Sequence, residues 1–260
     1  MKKPIALLPL CLLLSAPAGS AQRKSIRLAT TTSVENTGLL DVLLPAFERK
    51  SGVRVLPVAV GTGKALKLAE NGDADVLLVH DPEAEKEFLA RGFGTDRTTL
   101  FYNEFLLAGP TEDPAGVKGS KDAAEAFRKI AAAKSPFVSR GDKSGTHSRE
   151  LSIWKKAGVE PQAPWYLESG QGMGPTLVIA GEKKAYCLCD SATFASFSAK
   201  TGLAQVYAGD PTLLNEYSVI LAKGAGKDSK AFLKWMGSKE ARKLVAGFKK
   251  DGKLLFRLEK

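Results

Sequence analysis

The sequence is short of the residues on which most catalytic and metal centres depend. Its 260 residues hold two histidines, His80 and His147, and three cysteines, of which Cys11 lies in an N-terminal apolar segment. That leaves Cys187 and Cys189, flanking Leu188. Residues two apart on a strand share a face, and a disulfide between them would be strained, so two buried thiols are expected rather than a bridge or a metal pair. There is no Gly-x-Ser-x-Gly elbow for a nucleophilic serine. The turn Gly61-Thr62-Gly63-Lys64 resembles the end of a nucleotide phosphate loop, but the glycine required five positions before Gly63 is Val58, which excludes that motif. Beyond the first residues no apolar run is long enough to span a bilayer. Dense basic runs are missing too: the net charge is +10, yet the 38 Lys and Arg residues are scattered among 28 acidic ones. That pattern describes a solvated lysine-rich surface, and no nucleic-acid partner is expected.

Residues 1–21 read as a secretory signal peptide. Lys2 and Lys3 supply a basic start, residues 5–14 an apolar core, and Ala18 and Ala21 follow small residues suited to cleavage. Cleavage after Ala21 is expected, with Ala18 the alternative. Leu8-Pro9-Leu10 lacks the small residues that precede a lipidated cysteine, so Cys11 is not an anchor. Loss of the two lysines lowers the net charge from +10 to +8.

The mature chain begins with a repeated pattern of strand, Gly- or hydroxyl-rich turn, and amphipathic helix. Strands are expected at residues 25–29, 53–60 and 75–80, with helices at 38–50, from 61 through 69, and at 82–91. A β-α-β-α-β-α order implies a parallel sheet with right-handed crossovers. A strand at 104–110 leaves this unit for a second one. There, helices at 121–132, 151–158, 175–181 and about 193–200 alternate with strands at 136–138 and 187–191. A late strand at 217–222 returns to the first unit, and helices at 229–236 and 239–250 close the chain. Two α/β units joined by two crossing segments place a ligand in the cleft between them.

The organising stretch is residues 139–150, between a short strand and a helix. A turn rich in Gly and hydroxyl residues at a helix N-terminus is a ready anion site, because the first helical N–H groups lack intrahelical acceptors and the macrodipole is positive there. Gly141 and Gly145 let the backbone approach a ligand, and Arg140 adds a guanidinium fork suited to two oxygens of one oxyanion. The plainer reading is that Ser144 or Thr146 caps the helix and Arg140 lies on the surface. His147 is expected against the cap or solvent rather than a ligand. Trp154, Trp165 and Trp235 are expected in packing roles.

Several motifs recur together, in order: Thr30-Thr31-Thr32-Ser33, residues 38–47, Ala59-Val60-Gly61-Thr62-Gly63, residues 72–80, residues 139–146, and Gly170-Gln171-Gly172-Met173-Gly174. Through them the chain resembles the periplasmic tungstate-binding proteins of ABC importers over nearly its whole mature length. The resemblance implies a type II periplasmic-binding fold: two α/β lobes, a two-strand hinge and a ligand cleft. The lobes would be residues 22–105 with 216–260, and residues 106–215. It further implies a receptor, not an enzyme, that captures tungstate and also molybdate in the periplasm. The receptor would act as a monomer without cofactor and deliver the anion to a membrane permease. The residues carried over are Thr31, Thr32 and Ser33 from one lobe, and Arg140, Ser144, Gly145 and Thr146 from the other. Gly61, Thr62 and Gly63 are added as backbone donors, with Gln171 and Gly172. Cys187 and Cys189 depart from the family's pattern, where threonines are expected.

The chemistry of these residue types fits. Tungstate offers only acceptors at neutral pH, and N–H, O–H and one Arg offer only donors. An acceptor such as Asp142 facing the ligand would instead favour a protonated oxyanion, making a phosphate receptor the alternative; otherwise Asp142 is a turn residue bonding the nearby backbone. The remaining alternative is a secreted enzyme using Ser144 with His147, or Cys187 with Cys189.

Overall fold

The computed structural model describes residues 24–250 and 252–258; the expected signal peptide, residues 1–21, lies outside the described residues. The chain opens with β1 (Ser25–Thr31), α1 (Thr32–Thr37), α2 (Leu39–Ser51), β2 (Arg54–Val60), α3 (Thr62–Glu70), β3 (Val76–Val79) and α4 (Pro82–Ala90). The order of strands and helices matches the sequence pattern except for α1, a short helix where the sequence reads as a hydroxyl-rich turn, and β2, β1 and β3 pair in parallel. Alternation splits their side chains between two faces. Leu28, Val76 and Leu78 join Leu43, Phe47, Phe232 and Trp235 beneath α2 and the C-terminal helices. Ala29, Leu77 and Val79 pack with Leu66 of α3 and Phe88 of α4.

The expected exit strand is far longer than its sequence suggested. β4 runs Gly94–Gly109, and its first part pairs antiparallel with β9 (Leu214–Ala222). Register shifts between Thr95 and Thr98 and between Thr99 and Phe101, with Asp96 at φ 52°, break the alternation that would announce a strand. From Phe105 onward β4 changes partners and pairs with β7 (Cys187–Asp190) and β8 (Ala204–Tyr207). The main sheet therefore runs β2-β1-β3-β9-β4-β7, with β8 also on β4. β4 and β9 are the two segments that pass from one half to the other.

The second half comprises α5 (Ala123–Ala133), β5 (Phe137–Ser139), α6 (Gly145–Ala157), β6 (Tyr166–Glu168), α7 (Met173–Glu182), β7, α8 (Ser191–Thr201) and β8. α9 (Lys227–Met236) and α10 (Lys239–Ala246) follow β9. Alternation again divides two cores. Phe105, Leu107 and Leu188 meet Phe127, Phe137 and Trp154, whereas Leu106, Ala108, Cys187 and Cys189 face Met173 and Leu177 of α7. Both cysteines are thus free buried thiols on one face, and burial raises the Cys187 pKa far above its ordinary value. Trp154 and Trp235 sit in aromatic clusters, and Trp165 packs edge-on against Trp154. No helix among the described residues is long and apolar enough to cross a membrane.

Candidate anion-binding site

α6 begins at Gly145, six residues earlier than the pattern of apolar positions indicated. Its first turn is polar, so periodicity detects only the later, half-buried turns. Ser144 is the N-cap, and its Oγ accepts the His147 N–H at 3.3 Å. The preceding turn is tightly fixed. Gly141 adopts φ 59°, and a Cβ there would lie 2.7 Å from Glu168 Cβ, so only glycine fits. The Arg140 carbonyl accepts N–H of Gly170 at 2.9 Å and the Ser169 hydroxyl at 3.2 Å. Arg140 itself is buried rather than at the surface.

Four helix starts meet here. α1 is capped by Thr31, whose Oγ1 accepts the Val34 N–H at 3.4 Å. α3 starts after Gly61 and α7 after Gly172, neither with a side-chain cap. These ends come from both halves and touch. A Cβ at Gly61 would stand 3.3 Å from Ser144 Cβ, one at Gly63 would stand 2.9 Å from the Lys143 carbonyl, and one at Gly172 would stand 3.6 Å from Thr32 Oγ1. At Gly145 it would fall 2.6 Å from the His80 carbonyl. The glycines are needed for this close approach between the halves.

Among the described residues, all but one of the buried side-chain polar atoms without a hydrogen-bond partner belong to residues of this region, the exception being Ser218 Oγ on β9. They include Thr32 Oγ1, Ser33 Oγ, Thr62 Oγ1, Arg140 Nε, Thr146 Oγ1, His80 Nε2 and His147 Nε2. Each orphaned group of this kind costs about 1–3 kcal/mol, so a cluster of them at converging helix N-termini marks a place prepared for a polar ligand. Thr32, Ser33, Thr62, Arg140 and Thr146 were all singled out from the sequence. Thr31 and Ser144 use their oxygens as caps but retain a hydroxyl proton to donate. Gly61, Gly63, Gly145 and Gly172 line the contact between the halves. Gln171 is exposed, and its N–H goes to Ser169 Oγ at 3.2 Å; the structure leaves it outside the enclosed group.

Asp142 has both carboxylate oxygens engaged inside the turn. Oδ2 accepts from Arg140 Nη2 at 2.5 Å and Oδ1 from the Ser144 N–H at 3.1 Å. The carboxylate thereby orients the guanidinium while Nε stays free. His147 does contact the cap turn: its Nδ1 accepts the Lys143 N–H at 3.1 Å, and the ring is buried rather than in solvent. Burial lowers its pKa. One turn beyond Thr146, buried Glu150 accepts from Tyr166 Oη at 2.7 Å and Trp154 Nε1 at 3.2 Å, and desolvation raises its pKa to about 7.

His80 and Glu150 have no role in the sequence analysis, although His80 ends one of its motifs. The available signal was a polar residue at the end of a strand buried at every position, β3. Among the described residues no group of His, Cys, Asp and Glu is placed to hold a metal ion.

A family model described as a PBP superfamily domain matches residues 15–240. The chain belongs to that superfamily, and its architecture is the type II periplasmic-binding fold, two α/β lobes on a two-strand hinge with a cleft between them. Individual relatives narrow the assignment. The chain is 40% identical over 253 residues to the tungstate-binding protein TupA of Peptoclostridium acidaminophilum, covering 93% of this chain and 88% of that one. It is 43% identical over 235 residues to TupA of Campylobacter jejuni, covering 86% and 87%. The solved tungstate ABC transporter structure from Geobacter sulfurreducens superposes with a TM-score of 0.78 at 43% identity, covering 86% of this chain and 98% of that one. TupA from Desulfovibrio alaskensis gives 0.75 at 46% identity, covering 90% and 98%. A phosphate transport receptor from Vibrio cholerae, 17% identical with a TM-score of 0.61, shares the fold alone. Within the superfamily the chain therefore belongs to the family of these tungstate-binding proteins.

Proposed function

We propose that the protein captures tungstate, and molybdate by the same chemistry, between its lobes and presents it to the membrane permease of an ABC importer. The observation that carries this reading is the enclosed set of unpartnered donors on Thr32, Ser33, Thr62, Arg140 and Thr146. The carboxylate within the turn, Asp142, is committed to Arg140 and Ser144. A fully deprotonated tetrahedral dianion presents only acceptors and matches that set. Hydrogen phosphate would need an acceptor for its proton, which disfavours the phosphate alternative. The names of the relatives support a receptor rather than an enzyme. The buried thiols, with Cys187 pushed well above its ordinary pKa, speak against a thiol enzyme.

In this reading Thr31, Thr32, Ser33 and the α3 start at Gly61, Thr62 and Gly63 hold the anion from lobe one. Arg140, Ser144, Gly145, Thr146 and Gly172 hold it from lobe two, with Gln171 at the rim. Lobe one is residues 22–105 with 216–260, lobe two residues 106–215, and β4 and β9 are the hinge. The anion bridges both lobes and stabilises the closed state by its differential contacts there. The protein works in the periplasm as a monomer without cofactor, after cleavage of residues 1–21.

Thermal unfolding of the mature, anion-stripped protein tests this directly. An anion at a thousandfold excess over its Kd adds about 4 kcal/mol of stability, a rise of roughly 8–16 °C for a chain of this size. Tungstate is expected to produce that rise. An unchanged midpoint with both tungstate and molybdate would contradict the reading.

A further inference from the structure

Two parts of the site in lobe two are tied to each other by a pair of hydroxyls. On one side stands the Arg140 turn, clamped by the segment that follows β6. The Ser169 N–H bonds to the Ser139 carbonyl and the Gly170 N–H to the Arg140 carbonyl, both at 2.9 Å. On the other side stands the start of α7. Thr176 is fully buried there, and its N–H bonds to the Gly172 carbonyl at 3.0 Å. Pro175 has no N–H, so Met173 and Gly174 carry the donors that this uncapped start can offer. Between the two parts, Ser169 Oγ and Thr176 Oγ1 meet at 2.8 Å.

Each hydroxyl has one proton to donate, which limits how the pair can be bonded. Ser169 Oγ lies 3.2 Å from the Arg140 carbonyl oxygen and accepts the Gln171 N–H at 3.2 Å. Thr176 Oγ1 lies 2.9 Å from the Gly172 carbonyl oxygen and 3.3 Å from that of Gln171. If Thr176 donates to Ser169, then Ser169 donates to Arg140. If Thr176 donates to Gly172, then Ser169 donates to Thr176. The 2.8 Å bond is common to both arrangements. The segment that clamps the Arg140 turn is therefore bonded to the α7 start whichever way the protons point. Every one of these contacts lies between residues 139 and 176, within lobe two, so none depends on closure of the cleft.

The α7 start is also where lobe two comes up to lobe one. A Cβ on Gly172 would stand 3.6 Å from Thr32 Oγ1, one of the unpartnered hydroxyls. Apolar packing holds the body of α7: Leu177 and Ala180 are buried with Leu106, Cys187 and Cys189. Such packing is non-directional, whereas a hydrogen bond has a defined length and direction and can fix a spacing. We propose that Ser169 and Thr176 are positioning residues whose hydroxyl pair sets the distance between the Arg140 turn and the α7 start. The donors of both parts then meet one tetrahedral anion without rearrangement, and donors ordered before binding hold a ligand more tightly than donors ordered by it. The inference rests on the oxyanion reading above and deepens it, adding two residues that act through Arg140 and Gly172 rather than on the anion.

Calorimetric titration with tungstate of Thr176→Val, Thr176→Ser, Ser169→Ala and the double variant Ser169→Ala with Thr176→Val tests this. Valine keeps the branched shape and removes the hydroxyl, whereas serine keeps the hydroxyl and removes the methyl group. Neither hydroxyl deletion orphans a partner: without Thr176 Oγ1, Ser169 still donates to Arg140, and without Ser169 Oγ, Thr176 still donates to Gly172. Both variants should therefore fold, which thermal unfolding of the anion-free proteins checks. The worth of one hydrogen bond corresponds to a roughly two- to tenfold change in affinity. Thr176→Val and Ser169→Ala should each weaken tungstate binding by about that factor, and Thr176→Ser should bind as the wild type does. The double variant should be no weaker than the weaker single one, because the two hydroxyls act as one unit. Wild-type affinity in Thr176→Val overturns the proposal, as does a loss in Thr176→Ser that Thr176→Val does not share, which would mark a packing role. Losses that multiply in the double variant overturn it too. A loss confined to Ser169→Ala would make that hydroxyl a direct ligand of the anion and likewise overturns it. Wild-type protein that fails to bind tungstate would instead overturn the oxyanion reading itself.

Discussion

Gly145→Ala should weaken tungstate binding while sparing the fold. A Cβ at this position falls 2.6 Å from the His80 carbonyl oxygen, well inside contact distance. That carbonyl follows directly on β3, which is held on both sides by β1 and β9, so the strand end cannot retreat alone. Gly145 is not in the left-handed region, so alanine adopts its backbone conformation without strain. Relief must come from parting the halves at their closest contact. Overpacking of this size costs about 1–3 kcal/mol, which corresponds to a roughly 5- to 150-fold weaker affinity. Gly226→Ala is the control: it is the N-cap of α9, also at a helix start, with nothing within 4 Å of its Cβ. Calorimetric titration of both variants checks the reasoning. Wild-type affinity in Gly145→Ala would show that the Gly145–His80 contact is absent from the bound state, and the closed-cleft reasoning would fail.

The other predictions concern charge. Arg140→Ala should weaken tungstate binding at least tenfold, since a charge-assisted contact contributes about 1.5–3 kcal/mol; unchanged affinity would remove Arg140 from the site. His80 and Glu150 should pull the stability of the ligand-free protein in opposite directions. His80 falls from its ordinary 6.5 to about 4 on folding, so its contribution is present above pH 6.5 and is lost as pH drops towards 4. Glu150 rises from 4.5 to about 7, so its contribution is present below pH 4.5 and is lost as pH climbs through 7. Each amounts to about 3 kcal/mol over its window. Relative to wild type, denaturant titrations of His80→Gln should show stability falling more steeply from pH 4.5 to 6.5, and those of Glu150→Gln rising. Parallel profiles for all three proteins would refute the assignment of these groups.

The legible parts of the chain were those governed by local rules. Leu39, Leu43 and Phe47 repeat on one helical face, and β3 is a continuous apolar run, so α2 and β3 followed from pattern alone. Gly52 and Gly158, both in the left-handed region, close α2 and α6 as C-caps. The first ten residues of β4 were hidden by bulges and polar threonines. β6 and β8 are three and four residues long and depend on distant partners. In the site, Thr32, Ser33, Thr62 and Thr146 came from the family resemblance that the hydroxyl and glycine motifs carry. Their convergence was beyond local reading, because it depends on how two halves joined by β4 and β9 meet. The engagement of Asp142 by Arg140 and the ring of His80 against Gly145 are likewise products of the tertiary fold.

The most direct test of the central claim is calorimetric titration of the mature, anion-stripped protein with tungstate, molybdate, sulfate and phosphate at one pH and one salt concentration. A cage of hydroxyl, amide and guanidinium donors, with the Asp142 carboxylate already engaged, predicts tight one-to-one binding of tungstate, with molybdate following and phosphate silent. Phosphate binding with tungstate silent would contradict it and turn Asp142 towards the ligand.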